Sequence, residues 1–490
     1  MKKIILLFLV LPFLMVAQVQ IGQDIDGEAA GDQFGYDTSV STSGDRLAVS
    51  GKFYDGINGV DSGYVKVYDI DNNSIIQLGD NIYGEGSNDK SGTSIALSAD
   101  GNRLAISAEN NTGINGAGSG HVRIFELQNN NWIQLGNDID GDVAGDQSGY
   151  AIAFSKNGNT VSICSYRNDT TNNDAGQVRV FQFNGTDWIQ LGASIYGTQN
   201  SDYLGRFMEL SFDGLTMALS YKPFNSPGFV RVYQFKNTNW IQIGDNLEGE
   251  GFNDNFGVSL DLSNDGNILA VGASRNDGNG VDSGHVRVFQ NSNSNWIQIG
   301  DDIDGDHADD FFGNSLDLSD DGLVLAVGAS RSDGINGTNI DSGQVKLFEY
   351  SNAQWNQIGS SIYGEGVGDF FGYSLSLSLD SETLAIGGFR NDVNGTDSGH
   401  VRVFDLSPIL SIEEILILEF SMFPNPTKTQ FSIQLNPSVQ LEQLSIYNTL
   451  GQMVLTSEEK VVDSSKLSSG SYIVEITTNQ GKSSKKLIIE

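Results

Sequence analysis

One segment of roughly 56 residues recurs seven times in tandem between about Gln20 and Phe404. A fixed period of this length restricts the chain to supersecondary units that stack or close into a ring, because a single unit cannot bury its own apolar face. Three markers set the register. A QIG or QLG element recurs at Gly22, Gly79, Gly136, Gly192, Gly244, Gly300 and Gly359, and an xG element, FG in four copies, at Gly35, Gly92, Gly149, Gly205, Gly257, Gly313 and Gly372. The third is G-x-V-basic-apolar-aromatic, at Gly63, Gly120, Gly176, Gly228, Gly284, Gly343 and Gly399. All five tryptophans, Trp132, Trp188, Trp240, Trp296 and Trp355, stand two residues before the Gln of the QIG element.

Within a copy the apolar residues alternate or run in short blocks rich in Val, Ile, Leu and aromatics, bounded by Gly, Asn, Asp and Ser, which is the pattern of strands. In the copy that starts at Phe256 the strands are GVSLDLS, ILAVGAS, HVRVFQ and WIQIGDDI. Four antiparallel strands per copy match a propeller blade. The first copy begins with a fourth-strand element, Val19 to Ile25, and the last ends after a third strand, Val401 to Phe404. A closed ring would complete the last blade with the N-terminal strand, whereas an open β-solenoid would leave both edges unpaired. The expected fold is all-β: a seven-bladed β-propeller followed by a small β-sandwich-like C-terminal domain.

Residues 1–17 read as a signal peptide. Lys2 and Lys3 precede the apolar run Ile4 to Val16, and Ala17 supplies the small residue before a cleavage site. That run is too short for a comfortable membrane span, and no other stretch qualifies. The expected divisions are a propeller at 18–407, a linker at 408–420 and a final domain at 421–490. The single Cys164 excludes a disulfide within the chain, and its strand VSICSY makes it a buried apolar thiol.

The final block carries Phe423, Pro424, Asn425 and Pro426, then Tyr447, Asn448, Gly451 and Gln452, then Leu467, Gly470 and Tyr472, and the basic pair Lys485 and Lys486. It resembles the C-terminal sorting domain of the type IX secretion system. The resemblance implies an address that takes cargo across an outer membrane, with the secretion machinery as partner and a secreted or surface-attached product. The propeller copies resemble, more loosely, the FG-GAP repeats of integrin-type α-subunit propellers. Phe256, Gly257, Val271, Gly272, Ala273, Gly284, Val286 and Phe289 carry this likeness in the fifth copy. That family has a calcium loop between the first two strands, and a tight turn such as Ser319 to Gly322 stands there instead.

In a four-strand meander, the loop between strands two and three and the loop to the next blade emerge at one end, and both are acidic here. An Asp stands three residues before each xG glycine: Asp32, Asp89, Asp146, Asp202, Asp254, Asp310 and Asp369. Four residues earlier comes a second acid, Glu28, Glu85, Asp142, Glu250, Asp306 or Glu365, with Thr198 the exception. Each repeated Asp can cap its own loop by accepting backbone N–H bonds. Alternatively Asp32, Asp89, Asp146, Asp254, Asp310 and Asp369 are metal ligands, for which calcium is the cation that clustered carboxylates suit.

The basic residue of strand three also recurs, at Lys66, Arg123, Arg179, Arg231, Arg287, Lys346 and Arg402, and is expected to pair with a loop Asp. A formal net charge of −35 argues against nucleic acid and anionic membranes as partners. His121, His285 and His400 share one repeat position with Tyr64, Gln177, Phe229 and Gln344 and read as interchangeable strand residues; His307 is a lone loop histidine. No GxSxG, HExxH, Walker loop or CxxC occurs, and no catalytic residue is assigned. The fourth copy departs most, with Leu204 for Phe, Thr198 for the acid, and Pro223 and Pro227 in a shortened loop. The reading is an exported non-enzymatic binding or adhesion propeller for a glycan or protein ligand. The runner-up is a glycan-cleaving enzyme on the same scaffold, whose carboxylates need no local signature; nonrepeated carboxylates facing a pocket would favour it.

Overall fold

The computed structural model describes residues 18–71, 74–222, 226–334, 337–410, 420–435, 439–448, 452–478 and 481–490. The expected signal peptide, Pro223, most of the linker and Gly451 lie outside the described residues. The chain divides into two units, Met1–Ile409 and Leu410–Glu490.

Among the described residues the first unit contains seven antiparallel sheets, six of which take their strands in sequence order. The first strands are Phe34–Val40, Ser91–Leu97, Ser148–Phe154, Met208–Leu210, Phe256–Leu262, Phe312–Leu318 and Ser374–Leu377. The fourth strand bends at the QIG glycine, whose φ is positive in every copy. In four sheets the bend splits it, so that a short second piece, such as Ile82–Tyr83, returns to strand three.

Among the described residues, one sheet combines the two ends of the repeat. Val19–Asp26 pairs antiparallel with His400–Asp405, and that sheet continues through Thr383–Gly388 to Ser374–Leu377. Contacts between the last and first copies also close the circuit. Val40 N donates to Ser376 Oγ at 3.0 Å, and Ser374 Oγ donates to Gly35 O at 2.8 Å.

The markers recur together because they meet across neighbouring sheets. The Gly of G-x-V bridges the residue before the xG glycine of the next copy, as in Gly63 with Ser91, Gly284 with Phe312 and Gly343 with Phe371, and Gly399 with Phe34 at the closure. A Cβ on Gly284, at φ +79°, would lie 2.1 Å from Phe312 O, so only glycine fits. Trp132, Trp188, Trp240 and Trp355 donate their indole N–H to Leu78, Leu135, Leu191 and Ile299 carbonyls, the middle residue of the preceding copy's QIG or QLG element.

Each sheet is buried on both faces, which explains near-continuous apolar strands. Val230 and Val232 of the fourth sheet share a core with Leu269 and Val271 of the fifth. Ile268 and Ala270, on the other face of that same strand, pack with Leu325 and Val327 of the sixth. Cys164 is fully buried, and burial pushes its thiol well above the ordinary range.

The second unit has a three-stranded and a four-stranded antiparallel sheet around one core. Phe431, Ile433 and Val462 from the first sheet meet Leu444, Ile446, Val474, Ile476 and Leu487 from the second.

Candidate ligand-binding channel

The seven first strands surround a common cavity, and all seven supply lining residues. Its inner part, about 190 Å³, joins a wider mouth of about 620 Å³; Asp37, Ser94, Ile152, Leu260, Leu316 and Leu375 belong to both walls. The mouth opens at the end where the xG elements and the loops after strand two emerge.

The position four residues after the xG glycine faces this cavity. It holds Ser39, Ala96, Ala153, Glu209, Asp261, Asp317 and Ser376 in successive copies, so acids occupy three adjacent sheets. Several of these side chains tie neighbouring strands together. Leu318 N donates to Asp261 Oδ2 at 2.7 Å, Leu377 N to Asp317 Oδ2 at 2.8 Å and Leu97 N to Ser39 Oγ at 2.9 Å. Asp37, two residues after its glycine, accepts Ile95 N at 2.8 Å.

Burial dominates the electrostatics of this group. It pushes Asp37 up to about 7 and Glu209 up to about 7, with Lys156 acting against the rise at Glu209. Asp261 is held well above the carboxylate range by burial and by the Asp317 and Glu209 charges. Burial opposes the charge on Lys156, but Asp317, Glu209 and Asp261 outweigh it and raise the ammonium pKa.

The mouth has the opposite sign. Strand two is followed by a cation in six copies: Lys52, Arg167, Lys222, Arg275, Arg331 and Arg390, with Glu109 the exception. Arg206, directly after the fourth xG glycine, and Lys90 add to them. Aromatic rings lie between these cations. Lys52 Nζ sits 3.8 Å from the Tyr36 ring, Arg331 4.7 Å from Phe311, and Arg390 4.9 Å from Phe370. Tyr36, Tyr373 and Phe389 pack together, and Tyr150 lies 4.1 Å from Tyr166. Burial, with Arg206 and Arg275 beside it, brings Lys222 down to about 8. The acidic end expected from the loops therefore also carries cations and rings, which meet at the mouth of the cavity. The irregular fourth copy contributes Arg206, Glu209 and Lys222 to this centre.

The aspartates singled out as calcium candidates are buried, and five of them accept an N–H from their own loop. Asp32 accepts Ala29 N at 2.9 Å, Asp89 accepts Gly86 N at 2.8 Å, and Asp310 accepts His307 N at 3.1 Å. Asp254 and Asp369 each accept a glycine N–H at 2.7 Å, and Asp146 accepts Asn168 Nδ2 at 2.6 Å. The strand-three cations instead meet the acid four residues earlier. Lys66 reaches Glu28 at 2.6 Å, Arg123 reaches Glu85 at 3.3 Å, Arg179 reaches Asp142 at 2.7 Å and Arg402 reaches Glu365 at 3.6 Å. Arg231, whose copy has Thr198 there, bonds Asn246 Oδ1 at 2.9 Å.

In the second unit, Asn425 ties the motif Phe423–Pro426 to the last strand: its Nδ2 donates to Lys486 O at 2.8 Å and its Oδ1 accepts Ile488 N at 2.9 Å. Phe423 is 70% exposed, Lys485 Nζ lies 5.5 Å from the Phe420 ring, and Gly470 pairs with Ile489.

Residues 249–289 match the FG-GAP repeat. No curated protein matches the chain. Among solved structures, it is similar to the C-terminal WD40 domain of Sif2, with 13% identity over 80% of this chain and 99% of that one, at a TM-score of 0.47. It is also similar to a periplasmic gluconolactonase of Pseudomonas aeruginosa, with 15% identity over 67% of this chain and 85% of that one, at a TM-score of 0.43. Among the described residues no helix is long and apolar enough to cross a membrane. Residues 421–490 match the secretion system C-terminal sorting domain, and this tail marks the chain for type IX export to the cell surface or the extracellular space.

Proposed function

We propose that the exported chain is a closed seven-bladed propeller that binds an anionic ligand, foremost an acidic glycan, at the mouth of its central channel. The observation that carries this reading is the collar of cations alternating with aromatic rings. Arg206, Arg331 and Arg390 line that mouth, and Lys52 and Arg275 lie against its Tyr36 and Phe311 rings, in a chain whose formal net charge is −35. Guanidinium forks suit carboxylate and sulfate oxygens, and aromatic faces supply the apolar contact that an oligosaccharide ring offers between its charges. The acids outside the collar would repel an anion elsewhere on the same face, which favours binding on the axis.

The test is calorimetric titration of the secreted protein with an oligouronate, its neutral methyl ester and a sulfated oligosaccharide. Binding of the acidic chains that weakens with salt, and that falls at least tenfold in Arg331→Gln/Arg390→Gln, supports the reading. Equal binding of the neutral ester, or no effect of the double substitution, would refute it.

A second reading, glycan cleavage, is favoured by one specific observation: the carboxylates Glu209, Asp261 and Asp317, present at that position in three of the seven copies, with Lys156 along the channel. One carboxyl kept protonated beside an ionised one is the arrangement of an acid and base pair. Product release from an acidic polysaccharide that is abolished in Asp317→Asn would favour it, and binding without turnover would favour the first.

A further inference from the structure

We propose that the second, fifth and seventh sheets each bind a divalent transition-metal ion of the zinc or manganese class through a histidine and carboxylates, at sites separate from the channel. The three histidines that share a repeat position do not vary independently of their surroundings. His121, His285 and His400 face Asp140, Asp304 and Asp26 across the third and fourth strands, and in those copies the fourth strand reads DID. Where the position is Gln177 or Gln344, the fourth strand reads SIY; where it is Tyr64, NIY. Where it is Phe229, the strand reads NLE, so the pair of acids occurs only with a histidine and a single acid, Glu248, remains in one copy without it. An interchangeable strand residue would show no such dependence.

The geometry repeats three times. In the DID copies the Gln of the QIG element donates to Oδ1 of the first Asp: Gln20 to Asp24 at 2.7 Å, Gln134 to Asp138 at 2.6 Å and Gln298 to Asp302 at 2.6 Å. This fixes the carboxylate so that its other oxygen, Oδ2, faces histidine Nδ1, at 3.7, 3.6 and 3.8 Å respectively. Those separations are too long for a hydrogen bond. They are close to the spacing of two donors on one ion, given bonds of about 2.0 to 2.2 Å.

A third donor completes each group. Asp24, Asp26 and His400 offer ligand atoms within 4.8 Å of one another, as do Glu85, His121 and Asp138, and Glu250, His285 and Asp302. The seventh-sheet group also has unmet bonding capacity. His400 is fully buried, and neither ring nitrogen has a hydrogen-bond partner; nor does Asp26 Oδ1. His285 is 1% exposed, and its Nε2 is likewise unpartnered. A buried imidazole without a partner is costly, and coordination of one nitrogen would relieve it.

Arg123, Arg287 and Arg402 lie between 3.3 and 3.8 Å from carboxylates of these groups. Each site has three nearby carboxylates against one guanidinium, so it still favours a cation. A cavity of about 550 Å³ reaches His121, Asp138 and Glu85 and gives the second-sheet site access from solvent. One imidazole with carboxylate oxygens suits zinc or manganese, whereas calcium takes oxygen donors almost alone.

The test uses the full secreted chain, stripped with EDTA and titrated with Zn²⁺, Mn²⁺ or Ca²⁺, with bound metal measured by elemental analysis. Up to three equivalents of Zn²⁺ or Mn²⁺ are expected, with a rise in melting temperature. The chain itself supplies the substitutions: His285→Gln/Asp302→Ser/Asp304→Tyr installs what the third and sixth sheets already carry. It should lose one equivalent while melting like the parent in EDTA. Should that variant not fold, Co²⁺ titration of the parent gives a second readout, with visible bands expected from nitrogen and oxygen ligation. No retained Zn²⁺ or Mn²⁺, uptake unchanged in the folded variant, or absent cobalt bands would each overturn the proposal.

Discussion

Replacing Arg179 with Met should destabilise the propeller far more than replacing its acidic partner with Asn. Arg179 is 6% exposed, whereas the Asp142 side chain is 48% exposed, so the ion pair at 2.7 Å is open to water on one side. An ion pair with one partner half in water contributes under about 1 kcal/mol. The guanidinium also donates to Asp140 O at 2.7 Å and to Ser148 Oγ at 3.3 Å. It covers the Phe181 ring at 5.3 Å as well. Removing the donor to a partly buried carbonyl costs about 1 to 3 kcal/mol, and the cation–ring contact adds about 1. Against this, Arg179 Nε is buried without a partner, and deleting it recovers part of the loss. The expected sum is about 3 kcal/mol for Arg179→Met and under about 1 for Asp142→Asn. Urea unfolding followed by tryptophan fluorescence measures both from the shift in midpoint at a common slope. Equal losses, or a larger loss from Asp142→Asn, would refute the argument, because the exposed charge pair would then carry the stability.

Three further outcomes are expected. Asp254→Ala should cost about 2 kcal/mol, since Gly251 N and Asn276 Nδ2 lose their acceptor; a loss equal in calcium and in EDTA identifies a loop cap, and one seen only in calcium identifies a metal ligand. Burial raises Glu209 from 4.5 to about 7, so the folded chain holds a proton that the unfolded chain releases, and that stability is complete below about pH 4 and lost as pH rises through 7. Glu209→Gln should thus raise the melting temperature at pH 8, by up to about 3 kcal/mol of stability, and leave it unchanged at pH 4; the same gain at both pH values would contradict the burial argument. Asn425→Ala should weaken the sorting domain by about 1 to 2 kcal/mol and reduce export, read as the share of protein retained inside cells, because two bonds to the last strand are lost.

Much of the architecture was readable from local pattern. Strand alternation, turn residues and the three markers all act over a few residues, and repetition confirmed each one against its siblings. The partial units at Val19 and Phe404 predicted the pairing of Val19–Asp26 with His400–Asp405, because a strand missing at one end and left over at the other has one economical solution. The sorting motif was equally plain, although Gly451 lies outside the described residues. The loop aspartates were weighed as caps or metal ligands on type alone. The N–H groups that would partner a cap, such as those of Gly251 and Gly366, were placed only by the fold.

The cationic collar was not read, although its signal was present: a Lys or Arg after strand two in six copies. The histidines were read by column alone, and their dependence on the DID element was missed for the same reason.

By itself, then, the sequence determined the all-β repeat unit and the export address, because period and motif are properties of neighbouring residues along the chain. Tertiary structure decided which residues meet at its centre. Glu209, Asp261 and Asp317, or Lys52 and Arg390, are dozens to hundreds of residues apart, and only the curvature of the closed sheet array brings one position per copy onto a shared axis, where burial and like charges change what those groups can do.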